Sequence, residues 1–332
     1  MKHSNRALSL ALALFATFAA PSLGHAQLTW GGYIQTRFSS DFSTSTGFSI
    51  RRAKLYTTAI APFDTNLTAR MQAIFRSQNA GTLTLQDAYA EYCLPVVAFR
   101  AGQFVPGFSL QRLQPDAAMP VVERALVVDA LVPSAETYAR DIGAQLALYP
   151  HSHWRLTLGA FDGNGGNQCG NNDRQLLYVA RSTFQASLTD SIQLHLGASF
   201  AYRNKSAMTF KKIFGTAVPF SGKDVRWGGE VRFASPWWSL QAEYLEANLE
   251  TSKASGYYIL GSVFVDRANE VDGLAEQFQD LDPTTNDAAW YGVGWNHYFA
   301  ENKFKTQLAA RAQLSPEGNH YSATLQLQLY IH

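Results

Sequence analysis

Apolar and polar residues alternate with a period of two through much of this chain. In the stretch 67–76, the Leu, Ala, Met and Phe side chains share one face, and the Thr, Arg and Gln side chains fall on the other. The stretches 192–200 and 225–233 repeat the pattern. This period is typical of β-strands with one apolar face, and we predict an all-β fold.

The turns that separate the alternating stretches divide the chain into regular pieces. Proline cannot donate to a strand ladder, and the prolines after the N-terminal region all fall between these pieces. The predicted strands are 28–40, 48–61, 65–78, 83–93, 96–104, 139–149, 154–161, 174–186, 191–202, 225–234, 237–249, 256–265, 289–299, 303–314 and 321–331. Very short links alternate with longer ones, and the longer ones are 41–47, 105–138, 162–173, 203–224 and 250–255. Short turns at one end and long loops at the other are typical of bacterial outer-membrane barrels.

The region 266–288 has no clear strand pattern, but it decides the strand count. The alternation of short and long links makes both 256–265 and 289–299 run in the same direction. An antiparallel sheet needs one more strand between them, and bacterial barrels close with an even number. We therefore predict sixteen strands, with fourteen as the alternative.

Composition favours a membrane barrel over a soluble sheet. The chain is 46% hydrophobic and 16% charged, where soluble domains carry about 25% charged residues. After the N-terminal region no apolar run reaches the ~18 residues of a spanning helix. Strands that face lipid on one side and water on the other divide apolar surface in this way. We predict a transmembrane antiparallel β-barrel, and a soluble β-sandwich or propeller remains the alternative.

The N-terminal region predicts export. Lys2 and Arg6 precede an apolar run from Ala7 to Ala20, and small residues lead up to Ala26. This pattern predicts a signal peptide over 1–26, cleaved near Ala26, with the barrel over 27–332; the alternative is a membrane anchor, for which the run is short. Without Lys2 and Arg6, 25 basic residues remain against 26 acidic ones, which does not suggest a nucleic-acid partner. Cys93 and Cys169 fall at opposite barrel ends, so we expect two free thiols.

Several segments in the first half resemble the phosphate-selective porin O and P family of Gram-negative outer membranes. They are "FSIRRAKL" (48–55), "LQDAYAEY" (85–92), "FRAGQFVPGFSLQRL" (99–113), "PVVERALVVDALVP" (120–133) and "RDIGAQL" (140–146). The resemblance implies a homotrimeric, water-filled barrel in the outer-membrane lipid that passes small hydrophilic solutes, often anions, without a cofactor. The chain is short for that family, nearly neutral, and ends on His332 rather than an aromatic residue. Phosphate selectivity is therefore not carried over.

The link 105–138 follows the fifth predicted strand and is too apolar for a disordered loop. We predict that it folds into the barrel as the third long loop and constricts the pore. Pro120, followed by several Val, Ala and Leu residues, suggests a short helix or an extended apolar segment there. The charged residues expected near the pore are Asp116, Glu123, Arg124 and Asp129.

The first five predicted strands are strongly basic. Strand phase places Arg70 and Arg76 on the polar face, whereas the phase of Arg51 and Arg52 is ambiguous because the apolar pattern shifts between them. The predicted pore-lining basic residues are Arg37, Arg52, Arg70, Arg76 and Arg100. Arginines opposite an acidic loop would set up a field across a narrow aqueous gap and favour anions. The arginines could equally pair with the loop carboxylates and only hold the loop in place.

Other functions have weaker support. A channel specific for a sugar or a small acid is the alternative within the porin class. A barrel enzyme would need a Ser, His and acid arrangement, and the chain has no G-x-S-x-G motif. A soluble secreted binding protein would need the sheet to fold without lipid. His151 and His153 have no third ligand nearby in the sequence, so we predict no metal site and no enzymatic activity.

Overall fold

Sixteen β-strands form one closed antiparallel barrel in the computed structural model, which describes residues 26–77, 81–168, 170–171, 173–214, 219–250, 252–279, 288–315 and 318–331. Each strand pairs with its chain neighbours, and β1 pairs with β16. The strands are β1 (Gln27–Ser40), β2 (Thr46–Ala61), β3 (Asp64–Phe75), β4 (Leu83–Cys93), β5 (Val97–Phe104), β6 (Asp141–His151), β7 (Trp154–Phe161), β8 (Leu177–Ser187), β9 (Gln193–Thr209), β10 (Pro219–Ala234), β11 (Trp238–Leu249), β12 (Ser252–Phe264), β13 (Asn269–Gln279), β14 (Ala288–Ala300), β15 (Phe304–Ser315) and β16 (Gly318–Ile331). The predicted all-β barrel is confirmed.

The strand predicted within 266–288 is β13, so the count of sixteen is confirmed and fourteen is wrong. Its polarity pattern is hard to read from the sequence because the buried face carries Leu274 and Phe278. The opposite face carries Gly273, Ala275 and Gln277. Apolar residues therefore lie on the face that is polar in most of the other strands.

Strands β9 and β10 extend well into the predicted link 203–224, which is therefore shorter than expected. Arg203 and Lys205 continue the alternation of β9 on its buried face. Arg203 Nε donates to Asp224 Oδ2 of β10 at 2.8 Å, and Lys205 Nζ donates to Asp173 at 3.0 Å. The Arg203–Asp224 ion pair therefore links the two strands, and Lys205 links β9 to the loop that precedes β8.

Most strands present an apolar face to the exterior and a polar face to the buried side. Phe99, Leu158, Leu196 and Val293 are exposed, and each alternates with residues whose side chains are more buried. Exposed apolar side chains over so many strands form a continuous apolar surface, which is the outer surface expected of a barrel in lipid.

A β-bulge in β2 explains the ambiguous phase of Arg51 and Arg52. Gln35 of β1 pairs with Arg52, but the next residue, Thr36, pairs with Ile50, so Arg51 is the extra residue. A bulge opposes two residues to one and reverses the alternation. As a result, Arg51 and Arg52 both reach the buried side.

The chain between β5 and β6, residues 105–140, is folded into short elements and is called the 105–140 segment below. It contains helix α1 (Leu110–Leu113), helix α2 (Leu126–Leu131) and two 3-10 turns, Asp116–Ala118 and Ala135–Thr137. A further short helix, α3 (Lys211–Phe214), lies between β9 and β10. Helix α2 begins at Leu126, so a helix starting at Pro120 is wrong.

Helix α2 packs against the buried faces of β11, β12 and β13. Val127, Val128 and Leu131 are completely buried in one apolar cluster with Leu245, Leu274 and other residues of those strands. A Cβ on Gly256 of β12 would come within 2.8 Å of the Val127 side chain, so glycine permits the close approach of α2. The apolar residues on the buried face of β13 thus pack against α2.

Some predictions fall outside the described residues. The predicted signal peptide, 1–26, falls almost wholly within residues 1–25, which are outside the described ranges, and Cys169 is likewise outside. Cys93 is a free, exposed thiol. Among the described residues, no helix has the length and hydropathy needed to cross a membrane. In the same ranges, no group of three His, Cys, Asp or Glu side chains has a metal-binding arrangement.

Candidate functional site

Asp116 joins the 105–140 segment to β1 and β2. Lys54 Nζ donates to its carboxylate at 2.5 Å, and Arg52 Nε lies 3.5 Å away. Arg124, from the segment itself, forms an ion pair with the other carboxylate oxygen, and the Tyr33 hydroxyl lies within 3.4 Å. This buried carboxylate is surrounded by three cations.

Glu123 forms a second attachment to the same two strands. Arg37 Nη1 donates to its carboxylate at 2.5 Å, and Arg51 binds it with two N–H groups at 2.7 and 2.6 Å. Arg52 lies 3.7 Å from it. Arg37 and Arg52, two of the predicted pore-lining residues, therefore form direct ion pairs with the segment.

The other three predicted basic residues have different surroundings. Arg70 stacks on Tyr56 at 4.4 Å and donates to Thr58 and Gln72 at 3.3 Å. Arg76 stacks on Tyr138 at 4.0 Å. Arg100 is paired with Glu91 of the neighbouring strand at 2.7 Å and stacks on Tyr89 at 4.4 Å.

Two of the four predicted loop residues, Arg124 and Asp129, form ion pairs with other residues of the segment. Arg124 binds Asp116 and also donates to the carbonyl oxygens of Gln111 and Gln114. Asp129 pairs with Arg112 of α1 at 3.0 Å rather than with the strands. These contacts fold the segment on itself, whereas Asp116 and Glu123 attach it to the barrel.

Two carboxylates on the opposite side of the barrel bind the helix starts of the segment. Glu243 of β11 accepts hydrogen bonds from the backbone N–H groups of Leu110 and Gln111 at 3.1 and 2.6 Å. Glu276 of β13 accepts from the N–H of Leu126 and also binds Arg311. Backbone N–H groups at a helix start have no partner within the helix, so these carboxylates act as N-caps from distant strands. Neither Glu243 nor Glu276 is among the residues predicted from the sequence. The cap that Glu276 supplies explains why α2 starts at Leu126.

Strands β15 and β16 bind the backbone of the segment between its two helices. Lys305 Nζ donates to the carbonyl oxygen of Met119 at 3.0 Å, and Gln307 donates to that of Pro120 at 2.8 Å. Gln328 of β16 donates to Ala117 at 3.2 Å. The segment is thus held by β1 and β2, by β15 and β16, and by β11 and β13.

A cavity of about 550 Å³ lies between α1 and strands β5–β10, and we call it the basic cavity. Its strand side carries Arg100, Arg155, Arg181, Arg232 and His195. None of the described residues that line it is Asp or Glu. Arg181 and His195 both bind Glu230 behind the cavity surface, the histidine at 2.8 Å. Within the described part of the chain, no carboxylate lies at ion-pair distance from Arg155 or Arg232.

A second cavity of about 500 Å³, here the tyrosine cavity, lies between the segment and strands β1–β5 and β16. It is lined by Tyr33, Tyr56, Tyr89 and Tyr330 together with Arg70 and other charged residues. Arg100 and Leu113 line both cavities. The two cavities are therefore neighbours that meet beside α1.

Three arginines of the basic cavity were not among the predicted site residues. Strand phase could have indicated Arg155, Arg181 and Arg232 as inward-facing, because each falls on the polar face of its strand.

The cations around Asp116 and Glu123 lower the pKa values of these two carboxylates by more than burial raises them. Burial alone would raise the pKa of Asp116, but Arg124, Arg52 and Lys54 hold it well below its usual value. Burial likewise acts to raise the pKa of Glu123, and Arg51, Arg52 and Arg37 lower it below its usual value. Both groups are therefore carboxylates at neutral and mildly acidic pH.

These lowered pKa values predict an acid-resistant attachment. A carboxylate whose folded pKa is lowered contributes stability that is complete above its unfolded pKa, about 4, and is lost as the pH falls toward the folded value. We expect the protease resistance of the segment to stay constant from pH 7 to about pH 4 and to fall only below that. Limited proteolysis with an acid-active protease checks this; a loss of resistance already at pH 5 to 6 would contradict it.

Most of the chain matches a known protein family. The family described as phosphate-selective porin O and P matches residues 29–313. A search among curated proteins finds no match.

Solved outer-membrane barrels share the fold at low sequence identity. Pseudomonas putida OprB is 10% identical, with a TM-score of 0.67 over 98% of this chain and 97% of that chain. Vibrio cholerae OmpT in its trimer form is 11% identical, with a TM-score of 0.61 over 92% and 99%. A mutant of the Rh. blastica porin is 12% identical, with a TM-score of 0.59 over 92% and 100%. At these identities the similarity concerns the barrel fold alone.

Proposed function

The chain belongs to the phosphate-selective porin O and P family, and from this premise we propose that it forms a water-filled channel for small hydrophilic solutes in the outer membrane, narrowed by the 105–140 segment. The segment binds β1 and β2 through Asp116 and Glu123, and β11 and β13 through its helix starts. Contacts with strands on opposite sides of a closed barrel support a course across its interior. The free cross-section for solutes is then the space that the segment leaves.

The preferred solutes in this proposal are anions, and the basic cavity is the observation that carries it. Arg37 and Arg52 form ion pairs with Glu123 and Asp116, so they hold the segment and are less available to anions in the channel. Arg155 and Arg232 have no such partner among the described residues. Uncompensated guanidinium groups beside a narrow aqueous space raise the local concentration of anions.

The double variant Arg155→Gln and Arg232→Gln tests the anion preference. We expect the wild type to be anion-selective and the variant to lose most of this preference, because both groups face the basic cavity. Reversal potentials in a potassium chloride gradient across a planar bilayer measure it. The control is Arg174→Gln with Arg267→Gln, which removes the same charge from exposed positions outside the strands. Cation selectivity of the wild type, or equal losses in the two double variants, would contradict the proposal.

The proposed assembly is a homotrimer, supported by the trimer form of the Vibrio cholerae OmpT structure. The apolar outer face of the barrel would contact outer-membrane lipid, and residues 1–26 would be removed as a signal peptide during export. Sedimentation of the detergent-solubilised protein, with the N-terminal sequence of the mature chain, tests both points. A monomer, or a chain that retains residues 1–26, would contradict the corresponding point.

A further inference from the structure

The space beside α1 is lined by apolar side chains on one side and by arginines on the other. Leu113 and Pro115 belong to both cavities, and both are exposed, Leu113 to 38%. Val105 also lines both cavities. Leaving apolar surface in water costs about 25 cal/mol per Å². Apolar side chains at the junction of two aqueous cavities therefore favour a solute that covers them.

The arginines on the opposite side are arranged for a carboxylate or a similar anion. Arg70 and Arg100 each lie 4.4 Å from the centre of a tyrosine ring, Tyr56 and Tyr89. Stacking fixes each guanidinium plane. The edge of Arg70 makes only two hydrogen bonds of 3.3 Å, to Thr58 and Gln72, whereas Arg100 already donates two hydrogen bonds to Glu91. Arg155 and Arg232 in the basic cavity have no carboxylate partner in the described part of the chain. The rings themselves add flat apolar surface to the tyrosine cavity.

An inorganic anion would use only the arginine side of this space. An organic acid with a flat apolar body would use both sides, with its carboxylate on an arginine and its body on Leu113, Pro115 or a tyrosine ring. The two volumes, about 550 and 500 Å³, lie within the range of sites that bind small organic molecules.

We propose that the channel has a binding site for small organic carboxylates with an apolar body, such as aromatic acids, at the junction of the basic and tyrosine cavities. The proposal rests on the anion channel proposed above and names its solute class. Benzoate and acetate are suitable probes, because they carry the same carboxylate and differ in the ring. Block of the chloride current by each probe reports binding within the channel.

We expect benzoate to block the chloride current of the wild type at a concentration about tenfold below that of acetate, because the ring covers the apolar surface. Leu113→Gln should weaken the block by benzoate several-fold and leave that by acetate unchanged. Leu113→Met should keep the wild-type block by benzoate. The control is Leu188→Gln, which makes the same change at an exposed turn and should have no effect.

The outcomes separate this inference from the proposed function. An anion-selective channel in which benzoate and acetate block equally would overturn the inference and leave the anion channel intact. Equal weakening of both probes by Leu113→Gln would also overturn it, because the leucine would then act on the arginines or on the fold. A wild type without anion preference would overturn the proposed function, and the inference with it.

Discussion

The Asp116→Asn variant should loosen the 105–140 segment and raise the mean single-channel conductance. Asp116 is buried with Lys54, Arg52 and Arg124 around it. Asparagine leaves Lys54 and Arg124 without their counter-charge, whereas Arg52 keeps Glu123 at 3.7 Å. Removing one partner of a buried ion pair typically costs 3–5 kcal/mol. We therefore expect the segment to be cleaved by protease under native conditions and the channel to show additional, larger conductance levels.

The matched control for this variant is Asp129→Asn. Asp129 lies on the same segment and pairs with Arg112, and its side chain is 35% exposed whereas that of Arg112 is 8% exposed. Solvent screens the exposed carboxylate, and Arg112 keeps its hydrogen bond to the Tyr138 carbonyl oxygen in the variant. The conductance and the proteolysis rate should therefore change much less than in Asp116→Asn. Equal behaviour of the two variants would contradict an attachment role for Asp116.

The Leu131→Ala variant should weaken the contact of α2 with β11–β13. Leu131 is completely buried in the apolar cluster, and a Leu→Ala change at such a site costs about 2–5 kcal/mol. Hydrogen exchange of the backbone amides in α2, measured in detergent micelles, reports the free energy of local opening. We expect faster exchange in α2 and unchanged exchange in the strand amides far from it.

Leu113→Ala is the control for the cavity effect. Leu113 lies in α1 of the same segment but is 38% exposed, so its truncation removes little buried surface. Exchange in α2 should then be close to the wild-type rate. If Leu113→Ala accelerated exchange as strongly as Leu131→Ala, packing of α2 against β11–β13 would not be the source of its stability.

The barrel could be predicted from the sequence because most strands follow one simple rule, apolar residues outside and polar residues inside. The rule fails where the segment replaces water as the neighbour of the strand. On β13, Leu274 and Phe278 face α2 instead of a polar environment, and the alternation could not be read. The strand count in this region follows only from the direction of the flanking strands.

The candidate site was predicted in part, for a related reason. Strand phase marks residues that point inward, but it does not say which of them meet a partner. Arg37 and Arg52 form ion pairs with Glu123 and Asp116. Arg155 and Arg232 have no such pairs among the described residues. Glu243 and Glu276 could not be assigned, because a carboxylate that caps a helix more than 100 residues away leaves no local pattern.

The contacts of residues 116–123 also bear on how the molecule assembles. These eight residues bind β1 and β2 through Asp116 and Glu123, and β15 and β16 through Lys305, Gln307 and Gln328. Their partners therefore come from the first and the last parts of the chain to be synthesised. The full set of contacts needs both ends of the chain in place, so the segment bridges β1 and β2 to β15 and β16 from inside and reinforces the closure of the barrel at the β1–β16 pairing.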